Sequence, residues 1–146
     1  MYERLSLIDA LTRPHHYHLS DTDTCYYFGD YTARKGHTKS HTNDLIINFK
    51  KSVDRQGKPE YKYKLAAIQK IASNLNQHFI AANQVTFIPI PPSKSREDSL
   101  YDNRIVKVLD QFRALNSDVD YRDFIIQSES TEASHNTDSR LSPEEL

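Results

Sequence analysis

Ser93, Lys94, Ser95 and Arg96 follow one another directly after the run Phe87-Ile88-Pro89-Ile90-Pro91-Pro92, and Tyr101, Asp102 and Arg104 come soon afterwards. Two cations and two hydroxyls in succession have the chemistry to hold a phosphate or a pyrophosphate. A helix starting near Asp102 would add backbone N–H groups that favour negative charge. Composition alone also fits a plainer reading, in which Pro91 and Pro92 stop a strand and the polar stretch after them is a solvated loop.

Other reactive residue types are less well organised. His15, His16 and His18 are close together, and His37 and His41 are four apart. A zinc or copper site needs three or four convergent ligands, which this spacing does not fix, so no metal ligand is assigned. Cys25 is the single cysteine and sits in an aromatic run without activating charges, which reads as a buried structural thiol. Lys50, Lys51, Arg55, Lys58, Lys62 and Lys64 interleave with Phe49, Tyr61 and Tyr63, a pattern that suits a nucleic-acid backbone. The preferred reading of that stretch is a solvated face whose lysine stems cover aromatic rings.

The elements that must position the anion-type loop are legible from periodicity. Leu5, Leu7, Ile8 and Leu11 suggest a short helix ending before Pro14, and Thr24 to Thr32 suggests a strand or hairpin arm. Thr42 or Asn43 is expected to cap a short helix carrying Leu45, Ile46 and Phe49, and Asp54 to Pro59 reads as a water-facing loop. Tyr61, Leu65, Ile68, Ala72, Leu75 and Phe79 predict a long amphipathic helix with Lys62, Lys64, Gln69 and Lys70 mostly outside its stripe. Val85 to Ile90 predicts a buried parallel strand, Tyr101 to Leu115 a second helix, and Asp123 to Gln127 the next strand. This order is that of a βαβ unit in a partly parallel sheet. In such sheets ligands bind beyond the carboxyl ends of the strands, where Pro91 to Arg104 falls.

The whole chain has 146 residues, 37% hydrophobic and 27% charged, with a mean hydropathy of −0.74, which predicts one ordinary domain with polar margins. A formal charge of −1 gives no global attraction to nucleic acid or to an anionic membrane, so any anion site must be local. The N-terminus lacks the apolar stretch of a signal peptide and no run is long enough to span a bilayer. With one cysteine, a cytoplasmic protein without a membrane partner is expected.

The loop and its surroundings resemble the ComF-type branch of the type I phosphoribosyltransferases, in which a strand ending in a Pro-x-Pro run leads into a basic loop and a helix. Tyr26-Tyr27-Phe28-Gly29-Asp30-Tyr31 and Leu45-Ile46-Ile47-Asn48-Phe49-Lys50-Lys51 resemble that branch's aromatic strand and its short helix ending in Phe/Leu-Lys. Gln127 to His135, with Arg140-Leu141-Ser142, resembles its flexible loop, which makes His135 and Arg140 candidate loop residues. The likeness extends over roughly Cys25 to Arg140, with two departures. No glycine follows Gly57, and the family's acidic pair with a Thr-Thr-Gly turn has no counterpart in the sequence.

The resemblance implies an incomplete phosphoribosyltransferase-like α/β fold, with a partly parallel sheet and flanking helices. Residues 1–23 would be an N-terminal helix and irregular segment, 24–128 the core, and 129–146 the flexible loop and the start of a further helix. Ser142-Pro143-Glu144-Glu145 reads as that helix start, and the chain as truncated before the ribose-phosphate segment. The implied activity is that of a glycosyltransferase of nucleotide metabolism, displacing pyrophosphate from phosphoribosyl pyrophosphate in the complete form, with this chain inactive alone. Lys94 and Arg96 would neutralise the pyrophosphate, Ser93 and Ser95 would add hydrogen bonds, and Asp102 and Arg104 would fix the loop against the helix. Mg2+ would accompany the pyrophosphate-bearing substrate. The expected partner is phosphoribosyl pyrophosphate or another phosphate-bearing small molecule, with a homodimer as a candidate assembly. The alternative is a non-catalytic module that binds nucleic acid or protein.

Overall fold

The computed structural model describes residues 4–16, 18–79 and 81–131. The chain divides into two compact units, Met1–Lys50 and Lys51–Leu146. The described residues contain three α-helices and four two-residue strands, which form an antiparallel pair in the first unit and a parallel pair in the second. The protein is therefore a small α/β protein with mixed sheets. No helix among the described residues is long and apolar enough to cross a membrane. His135, Arg140 and the helix start expected at Ser142 lie outside the described residues.

In the first unit β1 (Ser6–Leu7) pairs with β2 (Tyr26–Tyr27), with Ser6 opposite Tyr27. The helix expected from Leu5 to Leu11 does not form, and Asp9 explains why. Its Oδ1 accepts the N–H groups of Leu11 and Thr12, each at 3.0 Å, while Thr12 Oγ1 accepts the N–H of Asp9. These local bonds offer the backbone a turn in place of a helical ladder. A 3-10 turn over Arg13–His15 follows, with Pro14 near its start, where a missing N–H costs little. The Arg13 guanidinium then bonds the carbonyls of Ser20 and Asp23, closing the loop that returns to β2.

Helix α1 (His41–Phe49) begins earlier than the expected caps, because Ser40 Oγ accepts the N–H of Asn43 at 3.0 Å. Thr42 and Asn43 lie inside the helix. Asn43 is fully buried, and its amide pins the preceding loop. Its Oδ1 accepts the N–H of Thr32 at 2.9 Å, and its Nδ2 donates to the carbonyls of Thr32 and Gly36 at 2.8 and 3.2 Å. Gly36, at φ 68°, takes the left-handed backbone that turns the chain here.

In the second unit the stretch expected as an open loop contains 3-10 turns over Val53–Arg55 and Pro59–Tyr61, which lead into α2 (Lys62–His78). The buried face of α2 is rotated from the expected stripe, with Lys64, Ala67 and Asn74 buried beside Ile68 and Ala72 and with Leu75 only partly buried. Lys64 is 1% exposed, whereas Leu65 is 49% exposed. Helix α3 (Arg104–Leu115) packs on α2 and buries Val108, Leu109 and Phe112. The ring of Phe87, on β3 (Thr86–Phe87), meets Phe79 edge-on at 5.2 Å and Phe112 at 5.3 Å.

β3 pairs in parallel with β4 (Asp120–Tyr121), with Thr86 opposite Asp120. The strand expected at Asp123 to Gln127 therefore forms three residues earlier. Side chains anchor it there: Thr86 Oγ1 donates to Asp120 Oδ2 at 2.7 Å, Tyr121 donates its hydroxyl to Asp110, and the Arg113 guanidinium lies 4.1 Å from the Tyr121 ring centroid. The run from Val85 to Ile90 contributes two paired residues where a longer buried strand was expected. Ile88, Ile90, Phe124 and Ile126 are exposed.

Phe112 is fully buried and joins α3 to the Phe87 ring on β3. Phe112→Ala is expected to lower the unfolding free energy by about 3–5 kcal/mol in urea denaturation. A loss below about 1 kcal/mol would show that this aromatic contact does not support the second unit.

Candidate anion-binding site

The loop after β3 begins Pro89-Ile90-Pro91-Pro92, and consecutive prolines remove the N–H groups that a ladder needs. Beyond them the chain turns on itself, with the Asp98 N–H donating to the Ser95 carbonyl at 3.1 Å and the Tyr101 N–H to the Asp98 carbonyl at 2.9 Å. These turns carry the chain to the start of α3. A cleft between this loop and the segment after β4 is lined by Pro89 to Pro92, Lys94, Arg96, Tyr101, Asp102, Asp123 and Gln127, among others. Lys94, Arg96 and Asp102 are thus brought together, while Ser93, Ser95 and Arg104 do not line the cleft.

Each cation of the set has a carboxylate partner. Lys94 Nζ is 3.9 Å from Asp98 Oδ2, and Arg96 Nη2 donates to Asp123 Oδ2 at 2.8 Å. Arg104 Nη1 donates to Asp102 Oδ2 at 2.9 Å, and the Arg104 N–H donates to Asp102 Oδ1 at 3.2 Å. Asp102 thereby anchors the first turn of α3.

Asp102 is in turn held from α2. Lys64 Nζ donates to Asp102 Oδ2 and to the Lys51 carbonyl, and it lies 5.9 Å from the centroid of the Tyr61 ring. Burial pushes the Lys64 ammonium below its ordinary range, against the opposing pull of Asp102. Burial, followed by the nearby Asp102 charge, pushes the Tyr61 phenol up.

The loop is also clasped by residues that follow β4. The Ser93 carbonyl accepts the Thr131 N–H at 2.7 Å, the Ser95 N–H donates to Ser130 Oγ at 3.1 Å, and Ser130 Oγ donates to Asp98 Oδ2 at 2.7 Å. Ser95 is buried beneath this contact. The Ser130 hydroxyl and then the Leu100 N–H hold the Asp98 carboxyl below the usual aspartate range. The cleft that remains has a volume of about 10 Å³, room for roughly one water.

Asp98, Asp123 and Ser130 are not singled out as site residues by the sequence, and Lys64 is read there as part of a solvated basic-aromatic face. The carboxylates look like ordinary loop charges, and Ser130 lies in a polar run, so neither carries a pattern. Lys64 had a signal, since it falls three residues after Tyr61 and four before Ile68.

The basic-aromatic stretch is largely occupied by structure. Arg55 pairs with Glu60, Lys64 with Asp102, and Phe49 and Tyr61 are buried. Tyr63 is half-exposed, with Lys51 and Lys62 at 5.7 and 5.2 Å from its ring centroid, so lysines cover this ring as expected. Cys25 is partly buried and free.

No protein-family model, curated protein or solved structure matches this chain.

Two outcomes test the geometry. Lys64→Met leaves Asp102 in its buried position without its α2 counter-charge and is expected to cost about 3 kcal/mol of stability, with part regained in Lys64→Met/Asp102→Asn. No recovery in the double variant, by chemical denaturation, would show that the two residues are not coupled. Asp98 has a folded-state pKa below its unfolded one, so its contribution to the clasp is complete above the ordinary aspartate value of roughly 4 and is lost as pH falls through the folded value. The Ser95 amide resonance should follow that acid titration, and an unchanged titration in Ser130→Ala would disprove the link.

Proposed function

We propose that this chain is a phosphoribosyltransferase-like protein whose Ser93 to Arg104 loop binds the diphosphate end of phosphoribosyl pyrophosphate. The observation that carries the reading is the meeting of Lys94, Arg96 and Asp102 in one cleft at the carboxyl end of a parallel strand. In open α/β sheets that is the usual position for a ligand. The sequence resemblance supplies the substrate class.

Binding in this reading is an exchange of partners. Lys94 leaves Asp98, Arg96 leaves Asp123, and each takes a phosphate oxygen in a stronger charge-assisted contact. The Ser95 N–H leaves Ser130 Oγ for another. Ser93 and Ser95 offer hydroxyls, while Lys64, Asp102 and Arg104 keep the base of the loop fixed at α3. The small cleft has to open for this exchange.

Magnesium belongs to this scheme as part of the substrate. Among the described residues no three His, Cys, Asp or Glu side chains converge as a metal site. A magnesium ion carried on phosphate oxygens needs only one or two carboxylates, which Asp98 and Asp123 can offer once their cations are released.

In the complete reaction the diphosphate leaves the anomeric carbon as an acceptor nitrogen bonds to it. The acidic pair and Thr-Thr-Gly turn that hold ribose phosphate in the family do not occur in this sequence. The chain alone is therefore assigned binding without turnover.

Isothermal titration with magnesium pyrophosphate is the test. Lys94→Ala and Arg96→Ala should each weaken binding about tenfold or more, since each removes a charge-assisted contact. Ser130→Ala should strengthen binding, because it removes the competitor for the Ser95 N–H. Equal heats in wild type and both cation variants would overturn the assignment.

A further inference from the structure

A cavity of about 350 Å³ in the first unit shares no residue with the anion cleft. Buried Ile8 and partly buried Tyr27 line it, together with Asp30, Tyr31 and the imidazoles of His15 and His16. Tyr31 is 46% exposed, so its ring is open to a ligand. The volume lies within the usual small-molecule range of roughly 300–1,000 Å³.

Both sides of the cavity are held in place by the fold itself. On one side the Arg13 guanidinium bonds the carbonyls of Ser20 and Asp23, and the His16 N–H donates to the Arg13 carbonyl at 2.8 Å. On the other, Gly29 lies so close to α1 that a Cβ there would meet Thr42 Oγ1 at 2.5 Å, and the Asn43 amide bonds both the N–H and the carbonyl of Thr32. Asp30 and Tyr31 are thus carried between two pinned residues. Walls set in advance spare a ligand the cost of ordering them.

Charge and lining indicate what would fit. No lysine or arginine is among the lining residues, and Asp30 is their one carboxylate. The side chains of Asp30, His15 and His16 make no hydrogen bond or ion pair with the described residues. Tyrosine ring faces attract cations through their quadrupole. The Tyr31 ring already draws one, since Lys50 Nζ lies 5.8 Å from its centroid. A primary ammonium brings three donors that each need an acceptor. A quaternary ammonium brings none, so it leaves nothing unpaired against Ile8 and the rings.

We propose that this cavity binds a small molecule carrying a trimethylammonium head group. Asp30 supplies the counter-charge, Tyr27 and Tyr31 supply aromatic surface, and Lys50 competes for Tyr31 as a tethered cation. No residue of the second unit takes part, so the assignment stands or falls separately from the diphosphate reading.

Titration of the isotope-labelled full chain with choline and with its uncharged carbon isostere, dimethylbutanol, followed by amide NMR shifts, tests it. Choline should give saturable shifts around Asp30 and Tyr31, and the isostere should bind about tenfold more weakly. Asp30→Asn should weaken choline binding about tenfold, and Lys50→Met should strengthen it about threefold. The Asp30 side chain bonds nowhere else in the described fold, and circular dichroism checks that both variants remain folded. Sedimentation with phosphatidylcholine vesicles separates the sources of the head group: release of sedimented protein by choline assigns it to a lipid, and protein left in solution assigns it to a soluble molecule. The proposal is overturned if choline gives no saturable shifts at millimolar concentration, if the isostere binds equally well, or if Asp30→Asn leaves choline binding unchanged.

Discussion

The second unit is organised around one buried charge pair. Lys64 projects from α2 into the interior, where an unpaired ammonium would be costly, and Asp102 meets it from a residue 38 positions further along the chain. The same carboxylate accepts from the backbone and side chain of Arg104, so one aspartate ties α2 to the first turn of α3. The pair orients more than it stabilises, because desolvating two charges offsets much of their attraction. Asp102 also lines the cleft that holds Lys94 and Arg96, which makes the geometry of that cleft depend on a residue outside it.

The anion loop is electrostatically satisfied by the protein's own groups. Carboxylates stand opposite its cations, and a hydroxyl stands opposite the Ser95 N–H. A loop of this kind has no strong field left for a weak or monovalent anion. In the proposed reading a diphosphate, with several oxygens and more charge, replaces these partners together.

The sequence shows the order of elements better than it shows their edges. Helices α2 and α3 and the parallel pairing were legible, because apolar residues recur at helical spacing and the connection between the strands is long enough for a helix. The N-terminal helix was misread because Leu5, Leu7, Ile8 and Leu11 gave a periodicity that the Asp9 side chain overrides with local hydrogen bonds. On α2, Lys64 and Leu65 flank the stripe on opposite sides, and polarity pointed to the leucine. The partner that reverses the choice, Asp102, is remote in sequence. The cleft's cations were legible as a run, whereas the acids that neutralise them were not, since pairing between loops leaves no local pattern.

The parallel ladder also bears on the order in which the second unit acquires its structure. Thr86 and Asp120 are 34 residues apart, and closing a loop of that length costs about 3 kcal/mol in chain entropy. Two paired residues return a comparable amount at most, at about 1 kcal/mol per hydrogen bond. The ladder therefore cannot lead folding. Its register depends on α2 and α3, whose packing holds Phe79 and Phe112 around Phe87. The loops beyond the two strands rest on that packing, so a change in the helix interface is transmitted to the cleft they line.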